Sequence, residues 1–294
     1  MTPARAKVFL VMVLAALISA PALSQTATDI YLLDLAALED GRTVILRITD
    51  VPGYDNQPHF SADGKSVYFS RIRGGRAHIM AYDIASAETR VIRDDPESDY
   101  SPTLIPRMDA LSVIRVEADQ RQRLWKIPLG EGEPQVLFET IEPVGYHAWA
   151  APRIALLFVL GEPPTLALAG PAGVALPIDR NIGRGLQSLP GTTEVAYVSK
   201  SADPDRWVIN AYDYALDKTR FLAPTLPKRE DFALNGQGDL WMADGTVLYQ
   251  WNVERPSWVP LLDLSTMKLG TLSRLALSPD GRQLALVSEE NIGG

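Results

Sequence analysis

Three histidines are all that this 294-residue chain offers for imidazole chemistry: His59, His78 and His147. Transition-metal sites need several ligands converging on one point. His59 aligns with Ala148 and His147 with Pro58 in the repeat set out below, so the two imidazoles are expected on opposite sides of their strands. His78 opens a strand and is expected in solvent. There is no cysteine, which excludes disulfides, thiolate metal sites, a thiol nucleophile and a lipidated cysteine anchor. No Gly-x-Ser-x-Gly elbow exists to anchor a hydrolase triad. The glycines of GRGLQS (183 to 188) lack the strand-to-helix setting of a phosphate loop. The residues therefore predict no catalytic group, no metal and no cofactor.

Carboxylates are more plentiful, and the loops that carry them are expected on one face. The first three of those loops hold Asp50, Asp55, Asp94, Asp95, Glu97, Asp99, Glu139 and Glu142, with Arg93 as the base among them. The last three hold Arg180, Arg184, Lys228, Arg229, Lys268 and Arg274 against Glu230 and Asp231. Such a rim would be acidic on one half and basic on the other, a dipolar face suited to a charged partner. Tyr54, Tyr100 and Tyr146 are expected at the same rim, at matching places in consecutive repeats. They either pack between repeats or line the mouth of a channel for stacking. Trp149 reads as core. The candidate binding rim is Tyr54, Asp55, Asp94, Asp95, Glu97, Asp99, Tyr100, Tyr146, His147, Arg184 and Arg229.

The elements that must position these residues come from an internal repeat. HFSADGKSVYFS (59 to 70) and ALSPDGRQLALVS (276 to 288) spell the same corner: a short strand, a tight Asp-Gly turn, then an alternating strand. Aligning on the apolar residue before the turn gives Phe60, Leu104, Trp149, Leu189, Leu234 and Leu277, spaced 44, 45, 40, 45 and 43 residues apart. That is the period of a four-stranded propeller blade. Further strands recur downstream, as in HIMAYD (78 to 83), RLWKIPL (123 to 129), WVINAYD (207 to 213) and VLYQWNV (247 to 253). Their alternation and β-branched and aromatic content mark them as strands. Blade three, with PPTLALAGPAGVALPI, is expected to have short or irregular outer strands.

The last copy lacks its two outer strands, and residues 29 to 49 supply a strand–turn–strand pair with no inner strands before it. The expected architecture is all-β, a six-bladed propeller closed by pairing residues 29–49 with residues 270–290. Closure removes the sheet edges that invite aggregation. The Asp-Gly pairs Asp63-Gly64 and Asp280-Gly281 read as turn residues rather than metal ligands.

Pro58, Phe60, Ser61, Asp63 and Gly64 in blade one, and Leu277, Ser278, Pro279, Asp280 and Gly281 in blade six, resemble the TolB-like six-bladed propeller repeat. Blade two keeps Ser101-Pro102 but has Arg107-Met108 in place of Asp-Gly. The resemblance covers residues 29 to 290 and implies the propeller fold. The N-terminal α/β domain of TolB has no counterpart in it, so the resemblance does not imply a direct role in the Tol–Pal envelope system.

Net charge is −8 and the pI is near 5.0, which argues against nucleic acid as a partner. Arg5 and Lys7, the apolar stretch Val8 to Ala20, and small residues at Ala22 and Ser24 read as a secretory signal removed after about Ser24. The expected organisation is a signal over 1–24 and one propeller domain over 25–294. The expected location is the periplasm or the exterior, with no membrane insertion of the mature chain, which is expected to be monomeric. The function these features favour is a scaffold that binds an envelope or secreted protein or peptide at the face of the carboxylate-bearing loops and the channel mouth. The alternative is a metal-dependent propeller hydrolase or lyase acting on a lactone or acidic sugar. Its ligands would be three or four of Asp55, Asn56, Asp99, Glu142, His147 and Asp231.

Overall fold

The computed structural model describes residues 26–201, 203, 205–235 and 238–289; the expected secretory signal lies outside them. Six antiparallel sheets of four strands each form a ring of six blades. Strands are lettered A to D from the central channel outward. The A strands are Asp55–Phe60, Ser98–Leu104, Val144–Ala151, Ile182–Ser188, Phe232–Leu234 and Leu272–Leu277.

The sixth blade closes the ring. Its strands A and B come from the C-terminal end, Leu272–Leu277 and Gln283–Glu289, and its strands C and D from the N-terminal end, Thr28–Asp34 and Ile45–Arg47. Strand C pairs with strand B over its whole length, from Thr28 opposite Glu289 to Asp34 opposite Gln283.

The alternation in the B and C strands is not the usual inside–outside kind. Each blade is sandwiched between two neighbours, so successive side chains enter different cores. Val67 and Phe69 pack toward blade six with Ile30, Leu32 and Ala285. Tyr68 packs toward blade two with Leu111 and Val113. Ile30 and Leu32 face blade one, whereas Leu33 faces blade five with Trp241 and Leu248. The six clusters of buried side chains correspond to the six junctions between blades. Burial on both faces explains why IALLFV (154 to 159) is apolar without a break.

The two matching corners are built alike atom for atom. The carboxylates of Asp63 and Asp280 accept from Ser61 and Ser278 Oγ, each at 2.6 Å, and from the backbone N–H of Lys65 and Arg282, each at 3.1 Å. Gly64 and Gly281 sit at φ +71° and +72°, the left-handed region that Gly adopts without strain.

Two expectations need correction. A one-turn helix, Leu35–Glu39, interrupts the closing strand pair; Asp34 caps it through Ala37 N–H at 2.9 Å, and Leu35 and Ala37 are buried. Five residues are too few to show a 3.6-residue stripe. Blade three's outer strands, Thr165–Ala169 and Ala175–Arg180, are not cut short, although their pairing is irregular, with a bulge between Leu166 and Ala167; Leu166 and Ala169 are buried and make up for the Pro and Gly around them.

Candidate functional site: the charged ring of the channel

The A strands line a central cavity of about 570 Å3. Their pairing with strand B breaks at the same distance from the corner in three blades, between Asn56 and His59, Tyr100 and Thr103, and Ser273 and Ala276, and farther from the corner in blade four, between Ile182 and Leu186. At three of these bulges a non-glycine residue is left-handed: Gln57 at φ 59°, Ser101 at 53° and Arg274 at 47°. A bulge re-aims one side chain out of the ladder, and all three residues line the cavity. Gln57 Oε1 accepts from Ser70 Oγ at 2.8 Å and from Ser101 N–H at 2.9 Å, tying blade one to blade two. Gln187 Nε2 donates to the carbonyls of Phe232 at 2.6 Å and Leu275 at 3.0 Å, tying blade four to blades five and six.

The charged part of this ring is on blades three to six. Arg184 donates to Asp231 through Nε at 3.2 Å and Nη2 at 2.6 Å. Arg274 Nη1 lies 3.6 Å from the same carboxylate. Its Nη2 donates to the Tyr146 hydroxyl at 2.8 Å, with the guanidinium 4.8 Å from the centre of that ring. Burial would raise the Asp231 pKa, but Arg274 and Arg184 together hold it below the ordinary carboxylate value. Glu230 accepts from the Arg184 backbone N–H at 2.7 Å and pairs with Lys200. Three cations (Arg184, Lys200, Arg274) thus face two carboxylates (Glu230, Asp231), leaving one net positive charge in a chain whose total is −8.

The glycines of GRGLQS make this approach possible. A Cβ on Gly185 would stand 2.1 Å from the Glu230 carbonyl oxygen, and one on Gly183 would stand 2.9 Å from Val198 Cβ. Only glycine lets strand A of blade four lie against the segment that carries Asp231.

The three tyrosines do not occupy equivalent places, since they stand six, four and three residues before their corner residues. Tyr146 lines the cavity. Tyr100 packs against the core between blades two and three. Tyr54 adds a bridge to Thr28; burial raises its pKa to about 12, with Arg274 partly opposing that rise. Trp149 is core, as expected, and donates to Ser112 Oγ at 2.8 Å.

Five of the eight acids on the acidic half of the rim, Asp55, Asp95, Glu97, Asp99 and Glu142, are paired with arginines. Asp55 takes a two-point contact from Arg71 at 2.6 and 2.9 Å, and Asp99 takes one from Arg115 at 2.8 and 2.7 Å. Arg115 also reaches Asp95 at 2.5 Å and approaches Glu97 at 3.8 Å. Arg93 adds Asp95 at 2.7 Å, and Arg121 takes Glu142 at 2.7 Å. Arg93 is therefore one of several bases, the others arriving from strand B and the B–C turn. Asp55 and Asp99 are buried, and burial raises both pKa values more than their arginines lower them. On the basic half, Arg229 pairs with Asp244 and does not line the cavity, in contrast to Arg184.

The histidines also differ from expectation. His59 and His147 both line the channel, because the bulges fall at different offsets in the two A strands. Burial lowers the pKa of His59 to about 4 and that of His147 to about 3, with His59 adding to the latter. His78 is 5% exposed, tucked under its blade with Asp94 3.4 Å away. His147 Nε2 meets Ser112 Oγ at 2.6 Å, while its Nδ1, like Ser101 Oγ, is buried with no hydrogen-bond partner. Among the described residues no three His, Asp or Glu side chains gather to hold a metal ion. Of the ligands weighed for one, Asp55, Asp99, Glu142 and Asp231 are taken by arginines.

The fold and its channel define a six-bladed β-propeller. No protein-family model matches the chain, and no curated protein matches it. Solved structures do. A candidate TolB from Agrobacterium tumefaciens is 12% identical with a TM-score of 0.70, over 91% of this chain and 99% of that one. TolB from Acinetobacter baumannii is 12% identical with a TM-score of 0.60, over 91% of this chain and 64% of that one. An oligogalacturonate lyase from Vibrio parahaemolyticus is 14% identical with a TM-score of 0.56, over 83% and 80%. At these identities the likeness is one of fold. No helix among the described residues is long and apolar enough to cross a membrane.

Proposed function

We propose that this propeller is an extracytoplasmic scaffold that binds a protein or peptide partner, with the contact centred on the channel and its charged ring. The observation that carries this reading is the contrast between rim and ring. The rim carboxylates Asp55, Asp95, Asp99 and Glu142 are satisfied by arginines of their own chain. Carboxylates already paired within their own chain have little left to offer a partner. The ring keeps an excess positive charge and two buried polar atoms without partners. The loops joining strand D to strand A back the site, one of them carrying Glu230 and Asp231.

The secretory signal read in the sequence and the fold shared with TolB both suit an envelope location. The test is site-specific photo-crosslinking in the native envelope, with a crosslinking residue at Leu277 in the channel or at Phe221 on an outer strand. The reading predicts a discrete partner adduct from Leu277 and none from Phe221. Equal labelling from both positions, or none from Leu277, would refute it.

A further inference from the structure

The channel is asymmetric along its axis. Its wall runs from the ring residues Gln57, Ser101, Tyr146, Asp231 and Arg274 to the strand A–B corners, including the exposed Pro190 and Asp280. The Arg274–Tyr146 bond crosses the ring level between blades three and six, which are opposite one another. The corner side is the open end, and the charged ring is the floor.

A floor of this kind suits one part of a polypeptide best: its end. We propose that the ring recognises the C-terminal carboxylate of a partner chain inserted from the corner side. This rests on the partner-binding reading above and names the chemistry that the site takes. Arg274 donates to a neutral phenol oxygen, a weaker acceptor than a carboxylate. The Tyr146 hydroxyl accepts that bond and keeps its own proton to donate. A carboxylate arriving between them receives a guanidinium N–H and a phenol O–H at once, and it neutralises the excess charge of Arg184, Lys200 and Arg274 over Glu230 and Asp231. Capture of a terminal carboxylate by converging donors is a known mode of peptide recognition. The channel wall also holds two buried polar atoms without partners, His147 Nδ1 and Ser101 Oγ, which a side-chain rotation turns toward the backbone amides that follow. Phe60, Leu104, Leu275 and Leu277 supply apolar wall for side chains.

The test uses the mature chain and an array of N-acetylated pentapeptides of varied sequence. Each is made once with a free C-terminal acid and once as the C-terminal amide, and oligogalacturonate is assayed alongside. The expected result is binding by a subset of the acids, with their amides weaker by about tenfold or more, the loss of a charge-assisted hydrogen bond. Arg274→Gln and Tyr146→Phe, each checked for unchanged thermal unfolding, bring acid and amide toward equal affinity. Ser101→Gly removes the unpartnered hydroxyl and weakens acid and amide alike. Acid and amide binding equally well to the native protein would overturn this inference and leave the partner-binding reading standing. No pentapeptide binding in either form, or oligogalacturonate binding alone, would overturn both.

Discussion

Arg274 and Tyr146 are 128 residues apart and on opposite blades, yet the guanidinium of one donates to the hydroxyl of the other at 2.8 Å. The contact exists because the ring closes. Blade six, assembled from the two ends of the described chain, is held at the one place where its bulged A strand can reach across to blade three. Asp231 fixes the arginine from a third blade, so the ring level is cross-braced by charge rather than filled by apolar side chains.

Removing that brace has a predictable cost. Asp231→Asn leaves Arg184 and Arg274 facing each other without their shared counter-ion. Breaking a buried pair by deleting one partner costs about 3–5 kcal/mol; the partial exposure of Arg184 puts the expected loss below that range. The Asp231 carboxyl is held below its ordinary pKa, so its contribution is present above the unfolded value of 3.8 and fades as the pH falls further. Denaturant midpoints measured between pH 7 and pH 3 check both points.

The channel histidines predict a second, separate pH dependence. Both are held neutral by burial, and His147 remains so down to about pH 3. In the unfolded chain each takes up a proton below pH 6.5, so the unfolded state binds more protons and stability drops as pH falls. For His147 the loss reaches about 3 kcal/mol by pH 4, at about 1.4 kcal/mol per tenfold change in proton activity. His147→Asn flattens the fall between pH 6.5 and pH 4. An unaltered slope in that variant would show that the imidazole is charged when folded.

Gly185→Ala drives a methyl group to within about 2 Å of a backbone carbonyl, which no side-chain rotation relieves. We expect blades four and five to part at the ring, with a destabilisation of about 3 kcal/mol or more and loss of the Arg184–Asp231 contact. Thermal unfolding, with Gly130→Ala as an exposed glycine control in open space and without a left-handed backbone, tests this.

The pairs Asp55–Arg71 and Asp99–Arg115 are directly opposite in register on strands A and B of consecutive blades. Asp99→Ala alone leaves the buried Arg115 guanidinium held by Asp95 on one side only, so the expected cost lies below the ~3–5 kcal/mol of a fully broken buried pair. Asp99→Leu combined with Arg115→Met should recover most of that loss, because the double change removes both charges and keeps the volume. Partner binding is unchanged in the double variant if the rim is structural.

Much of this was legible in the sequence. The spacing of six apolar corner residues carried the blade number, and the mismatch of the two chain ends carried the closure. Asp55 and Asp99 were visible as rim acids. Their partners Arg71 and Arg115 have the same separation of 44 residues, a signal that marks the acids as structural once the arginines are counted with them. What could not be read was the bulge. A single extra residue in strand A turns Gln57, Ser101 and Arg274 inward and brings His59 and His147 to one channel. Bulges leave no composition signature when the left-handed residue is not glycine. His78 is buried because its strand begins at Arg76, two residues earlier than the alternation of HIMAYD indicates, which puts it inside the strand.

Ring closure is the claim on which the channel, the ring and the partner site all depend. Hydrogen exchange read by mass spectrometry on the native protein tests it most directly. The account predicts that amides in 28–34 exchange as slowly as those in 283–289, both only through global unfolding. Exchange of 28–34 on the timescale of a loose terminus, with 283–289 still protected, would contradict it.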